Sequence, residues 1–209
     1  LFIGSNRVAK KVAAQAAKNL VPTTLELGGK SPTIIGHSAN MKLAAERILF
    51  SKTLNAGQIC LSPDYIFVKK NDEKKLISEL QKAYSKFFPE PNSSNQTSMV
   101  NEYHLKRMNT YLLDATKKGA TVKSLGKNDD FDRNMISTKI VTEVNDNMDV
   151  MKHEIFGPIL PILTYESVSD AVDYINRNDN PLGLYYFGRN HSEQNFVINN
   201  TRSGGVTVN

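Results

Sequence analysis

Two hydrophobic rhythms alternate along the chain. Short apolar runs, "LFIG", "TTLELGG", "PTIIG", "YIFVKK", "TKIVTEV", "GPILPILTY", "LGLYYFG" and "GGVTVN", predict strands. Between most of them, apolar side chains recur every three or four positions and predict helices. The first helix carries Val8, Val12, Ala16 and Leu20 and stops at Pro22. The second, in "MKLAAERILFSKTLNAGQ", turns Ala44, Ala45, Ile48 and Leu49 to one face, with Gly57 as its stop. A third, from about Asp72, aligns Leu76, Leu80, Tyr84 and Phe87, and a fourth aligns Leu105, Met108, Leu112 and Ala115 before Gly119. "SVSDAVDYINR" begins with Ser167 and Asp170 at capping-box spacing, and "SEQNFVINNT" is a short final helix. Pro158 and Pro161 constrain the start of one strand, and "PEPNSSNQTS" is a turn-rich loop suited to mobility. Repeated strand–helix alternation predicts an α/β fold with a largely parallel sheet.

Composition narrows the class. The 209 residues, 40% apolar and 22% charged, suffice for one or two domains with a real core. No apolar run approaches the ~20 residues of a bilayer span, and "LFIGSNRVAK" is not patterned as a signal peptide. The net charge of +5 comes from lysines spread over several helices, read as solvated faces rather than a nucleic-acid surface. Four scattered histidines lack metal-ligand spacing, so no metal site is expected. A single cysteine excludes an internal disulfide and suits a reducing, cytoplasmic setting. The chain opens directly on a strand and closes on another, so both ends are expected to lie inside a longer protein.

Four patterns could carry chemistry. "FIGSNRVAK" runs from a strand through Gly4-Ser5 into a helix, where free N–H groups can meet a phosphate; an ordinary βα turn uses the same glycine. In "LELGGKSP", Glu26 ends a strand before a double glycine and could serve as a base in a cleft or simply face solvent. Cys60 follows a helix stop in a polar loop, a setting for a nucleophile as well as for an inert thiol. In "HEIFGPILP", Glu154 precedes a loop stiffened by Gly157-Pro158 and could accept ribose hydroxyls or a surface ion pair.

Together, "LELGGKSP", "NAGQIC", "EIFGPILP" and "FIGSNRVA" resemble, in order and at about the same spacing, signatures of the aldehyde dehydrogenase superfamily over essentially the whole chain. The wording of "AAERILFSKTLNAGQIC", "EIFGPILPILTY" and "PLGLYYFG" is most similar to the class 3 branch, near coniferyl aldehyde dehydrogenases. The resemblance implies a three-layer αβα catalytic domain over residues 28–209. Residues 1–27 would be the terminal βαβ piece of a Rossmann-like coenzyme domain. It implies oxidation of an aldehyde, with coniferyl aldehyde favoured, to a carboxylic acid using NAD or NADP. Cys60 would be the nucleophile and its N–H an oxyanion donor; Glu26 would be the base that hydrolyses the thioester. Glu154 would hold the nicotinamide ribose, Phe156 would pack near the ring, and the Leu27 backbone would meet the carboxamide. Gly4 and Ser5 would approach the pyrophosphate, with Val8 in the same turn.

The family usually has Val-Gly where this chain has Val8-Ala9, which implies a weakened or shifted coenzyme contact. An upstream asparagine donor, the first Rossmann strands, the lysine that grips the adenosine ribose and a C-terminal oligomerisation strand fall outside this sequence. The resemblance therefore implies a homodimer for the longer protein, and little turnover or dinucleotide affinity for these residues alone. A non-catalytic module of the same fold and a relative that acylates coenzyme A are the alternatives. Glu26 counts against the second, because such relatives generally lack the base.

Overall fold

The computed structural model describes residues 1–89, 96–127 and 129–209; most of the turn-rich segment around Pro91 lies outside them. Two sheets form. β1 (Phe2–Gly4), α1 (Asn6–Lys18) and β2 (Leu25–Leu27) make a two-stranded parallel unit, with Gly4 opposite Leu27. The remaining strands are β3 (Pro32–Ile35), β4 (Tyr65–Lys69), β5 (Thr121–Ser124), β6 (Lys139–Thr142), β7 (Ile159–Tyr165), β8 (Gly183–Phe187) and β9 (Gly205–Val208). They form one sheet in the order β5-β6-β7-β4-β3-β8-β9, parallel throughout except for the β5–β6 pair.

Helices cover both faces. α2 (Met41–Thr53) and α3 (Glu73–Phe87) pack on one side, where Ile48, Leu49, Leu76 and Leu80 meet Ile35, Ile66, Val68 and Ile162. α4 (Glu102–Lys117), α5 (Asp149–Lys152), α6 (Val168–Asn176) and α7 (His191–Asn199) lie on the other, against Ile34, Phe67, Val141 and Leu184. Neighbours such as Ile34 and Ile35 thus feed different cores. This is why the central strands read as unbroken apolar runs rather than as alternation. The architecture is the three-layer α/β arrangement that the resemblance implies, with the mostly parallel sheet that the pattern predicts.

Several elements differ from expectation. α1 stops at Lys18, two residues short of Leu20, which adopts φ 54° and is 92% exposed. The N–H groups of Asn19 and Leu20 close onto Ala16 and Ala17, so the helix terminates before the proline acts. β5, an edge strand, and the one-turn α5 have no counterpart in the predicted pattern. Pro161 does fall near the start of its strand, as the third residue of β7. Pairing with β6 ends at Pro161 and pairing with β4 begins at Ile162, so its missing N–H falls where the ladder changes partner. The solvated reading fails for some lysines: Lys52 and Lys139 are buried, Lys139 against Asp129 at 2.5 Å. The Ser167–Asp170 capping box forms as its spacing predicts. No described helix is long and apolar enough to cross a membrane.

Candidate active site

The sheet order brings the signature loops together. "LELGGKSP" enters β3, the Cys60 loop enters β4 and "HEIFGP" enters β7, and β3, β4 and β7 are adjacent and parallel. Segments more than a hundred residues apart therefore line one amino-terminal edge, on strands about 5 Å from their neighbours. β2 runs straight into the first of these loops through Leu27 and Gly28.

Buried polar contacts stitch the loops to each other. Lys30 is ion-paired with Asp64, which is almost fully buried, and its Nζ also donates to the carbonyls of Val150 (2.9 Å) and His153 (3.1 Å). The other Asp64 oxygen accepts the Ile155 N–H at 2.8 Å, and the Asp64 N–H donates to Ser31 O at 2.8 Å. Glu154 lies directly against Gly28, where a Cβ would collide with its carboxylate. Burial raises the Glu154 pKa and nearby Asp64 adds to the shift, while the facing Gly29 N–H, Lys30 and Arg107 oppose it. A Cβ on Gly57, whose φ is +72°, would come within 2.5 Å of Gly157 O, so glycine is what lets the Cys60 turn close on the "EIFGP" loop. Arg107 of α4 donates to Glu154 O and Phe156 O, both at 3.3 Å, and stacks over Tyr111. It grips the backbone where Phe156 holds φ 46°, a conformation that costs an aromatic residue about 1–3 kcal/mol.

Cys60 sits on a constructed turn. After α2, Asn55, Ala56 and Gly57 all have positive φ, which reverses the chain. Asn55 Nδ2 donates to Gln58 O at 3.1 Å, and Gln58 Nε2 returns to Asn55 O at 2.9 Å. Gln58 also reaches Ser98 O and accepts the Val100 N–H, tying the turn to the approach of α4. Cys60 itself is half-buried, a free thiol in a loop rather than a core filler.

The remaining candidates cluster on the smaller sheet. Gly4, Ser5, Val8 and Glu26 are exposed and Leu27 is half-buried. Ser5 precedes α1 without a side-chain cap, so the helix N–H groups are open to an anion. The Ala9 methyl is buried (1% exposed), so it fills the interior side of α1 rather than standing in the turn. Among the described residues, no group of His, Cys, Asp or Glu could hold a metal ion.

Lys30, Asp64, Arg107 and Gln58 escaped the sequence reading. One signal was available for two of them: Asp64 abuts an unbroken apolar strand run and Lys30 follows the double glycine, and a charge in such a setting is commonly paired.

A half-buried free thiol thus follows a reversed turn at the sheet edge where the Gly28 and Glu154 loops meet. Residues 1–209 match the model of the aldehyde dehydrogenase family, and the chain belongs to that family. It is 44% identical over 214 residues to the probable coniferyl aldehyde dehydrogenase of Caulobacter vibrioides, covering all of this chain and 44% of that protein. It is 38% identical to mouse (Mus musculus) aldehyde dehydrogenase family 3 member A2, over all of this chain and 42% of the relative. A solved structure, the substrate-bound state of Staphylococcus aureus AldH, superposes with a TM-score of 0.93 at 39% identity, over all of this chain and 45% of that one. The chain thus spans less than half the length of these relatives.

Proposed function

We propose that this chain is the thiol-bearing part of an enzyme that oxidises an aldehyde to a carboxylic acid with NAD or NADP. An aromatic aldehyde of the coniferyl type is favoured, given the coniferyl aldehyde dehydrogenases among its relatives. The observation that carries this reading is the meeting of the Cys60, Glu154 and Gly28 loops at one sheet edge.

The Cys60 thiolate adds to the aldehyde carbon, and the carbonyl electrons move to oxygen, giving a thiohemiacetal oxyanion near the Cys60 N–H. Held by Gly4, Ser5, Glu154 and Phe156, a nicotinamide coenzyme would supply the hydride acceptor for that carbon, so that the acyl group would stay on Cys60 as a thioester. Glu26, exposed in the middle of β2, takes a proton from water as the water attacks the thioester. Collapse releases the acid and returns the thiolate. Gly4 and Ser5 at the open α1 start suit a pyrophosphate. Glu154 suits a ribose, and Phe156, fixed by Arg107, suits the ring beside it. Residues 1–27 serve as the end of a coenzyme-binding domain and 28–209 as the catalytic domain, within a dimer of the longer protein.

The test is Glu26→Gln in the full-length protein, assayed for coenzyme reduction against an aldehyde panel. The expected result is one burst of reduced coenzyme per site, then a steady rate lower by about 10²–10⁴. Unchanged phases would remove Glu26 from the mechanism, and absence of turnover in the unmodified protein with every aldehyde would refute the reading.

A further inference from the structure

We propose that Lys52 and Tyr185 are positioning residues for Cys60, acting by holding the carbonyls of Pro63 and Leu61. No described side chain or backbone group hydrogen-bonds the thiol, so its aim depends on the backbone that follows it. That backbone is gripped from two sides. From the last turn of α2, Lys52 Nζ donates to Pro63 O at 2.9 Å. From β8, the Tyr185 hydroxyl donates to Leu61 O. Between them the Ser62 N–H returns to Ile59 O at 2.9 Å, and the Asp64 N–H goes to Ser31 O at 2.8 Å. Residues 61, 63 and 64 therefore each have a backbone group fixed to a different part of the fold, and Ser62 closes the local turn.

The chemistry of the two donors supports a role beyond packing. Lys52 is completely buried. An apolar side chain of similar length would fill the same space with no ion to desolvate. Burial lowers its pKa to about 8; Lys30 adds to the shift, and Asp64 and Glu154 oppose it. An ammonium kept at such a cost is best explained by the bond it makes. Tyr185 is also close to the nucleophile. Its phenol pKa is raised by burial and by the charge of Cys60, so the hydroxyl remains a neutral donor across the working pH range. Clamping the carbonyls at 61 and 63 prevents these peptides from rotating. Rotation there would turn Cys60 away from the site.

The inference deepens the thiol reading of the preceding section, and its test includes a readout that does not need turnover. Tyr185→Phe in the full-length protein removes one hydroxyl and nothing else. Hydrogen exchange of a peptide covering 58–64 is expected to quicken about tenfold, the equivalent of one hydrogen bond, with peptides elsewhere unchanged. The burst rate should fall about as much, with the KM for coenzyme unchanged. Lys52→Met should do the same while keeping or raising the melting temperature. If that variant fails to fold, Tyr185→Phe alone carries the test. Unchanged exchange overturns the proposal, as does faster exchange with an unaltered burst rate. Should the unmodified protein oxidise no aldehyde, alkylation of Cys60 is measured by mass spectrometry. A rate in Tyr185→Phe at least about threefold from the parent then supports the clamp, and an equal rate overturns it.

Discussion

Lys30→Met tests whether the loops at the sheet edge are held by a buried charge rather than by packing alone. The change removes the ion pair to Asp64, the bonds to Val150 O and His153 O, and the cation 5.5 Å over the Tyr65 ring. Asp64, whose side chain is 3% exposed, would keep the Ile155 N–H as its one side-chain partner among those described. Leaving one member of a buried pair uncompensated typically costs about 3–5 kcal/mol. At roughly 2 cal/mol/K of unfolding entropy per residue, a protein more than twice this length should lose about 3–5 °C of melting temperature. Thermal unfolding of the full-length protein measures it. The companion double change, Lys30→Met with Asp64→Leu, removes both charges and should recover most of the loss, because no unpaired ion remains. A fall under about 2 °C in the single variant, or a double variant no better than the single, would refute the reasoning.

Arg107→Met should free the backbone at Glu154 and Phe156, raising the coenzyme KM about tenfold with a smaller effect on kcat; steady-state kinetics decides it. Cys60→Ala should abolish turnover and shift the melting temperature by no more than about 2 °C, since the thiol is half-buried and makes no described hydrogen bond. Glu154→Gln should stabilise the protein at pH 7. The folded state raises this carboxyl above 4.5 and so favours its protonated form, which the amide imitates. The parent's disadvantage should disappear as pH falls through the folded value towards 4.5, and melting curves across pH 4–8 read it out; a constant difference would contradict the raised value.

Most of the sheet was legible in the sequence because its central strands are buried on both faces and show as continuous apolar runs such as "YIFV". β5 was not, since "TVKS" is a mostly exposed edge whose pairing is set by β6 alone. α5 is a single turn, too short for any periodicity. Leu20 misled because its spacing fits a helix while local closure of the N–H groups ends that helix earlier. At the site, Cys60 and Glu154 were visible through motif resemblance. The contacts that place them were not. A half-buried Lys30 or a buried Lys52 looks like any surface lysine until the strand order is known, because its partner lies in another loop: Asp64 for Lys30, Pro63 O for Lys52. The strand pattern left Glu26 open between a cleft and solvent, and in the described chain it is exposed.

The placement of these loops at the amino edge of the parallel sheet has an electrostatic consequence. Ligands of open α/β sheets are generally met at the opposite edge, where helix starts supply partial positive charge. Here α2, α6 and α7 return the chain to parallel strands β4, β8 and β9, so they arrive with their carbonyl ends, each bringing a partial negative charge of about half an electron. That field would oppose the thiolate and oxyanion proposed at Cys60. The three cations buried or half-buried around the loops, Lys30, Lys52 and Arg107, supply the opposite sign. Neutralising any of them would make the edge more hostile to an anion even where every hydrogen bond to Cys60's neighbours survived.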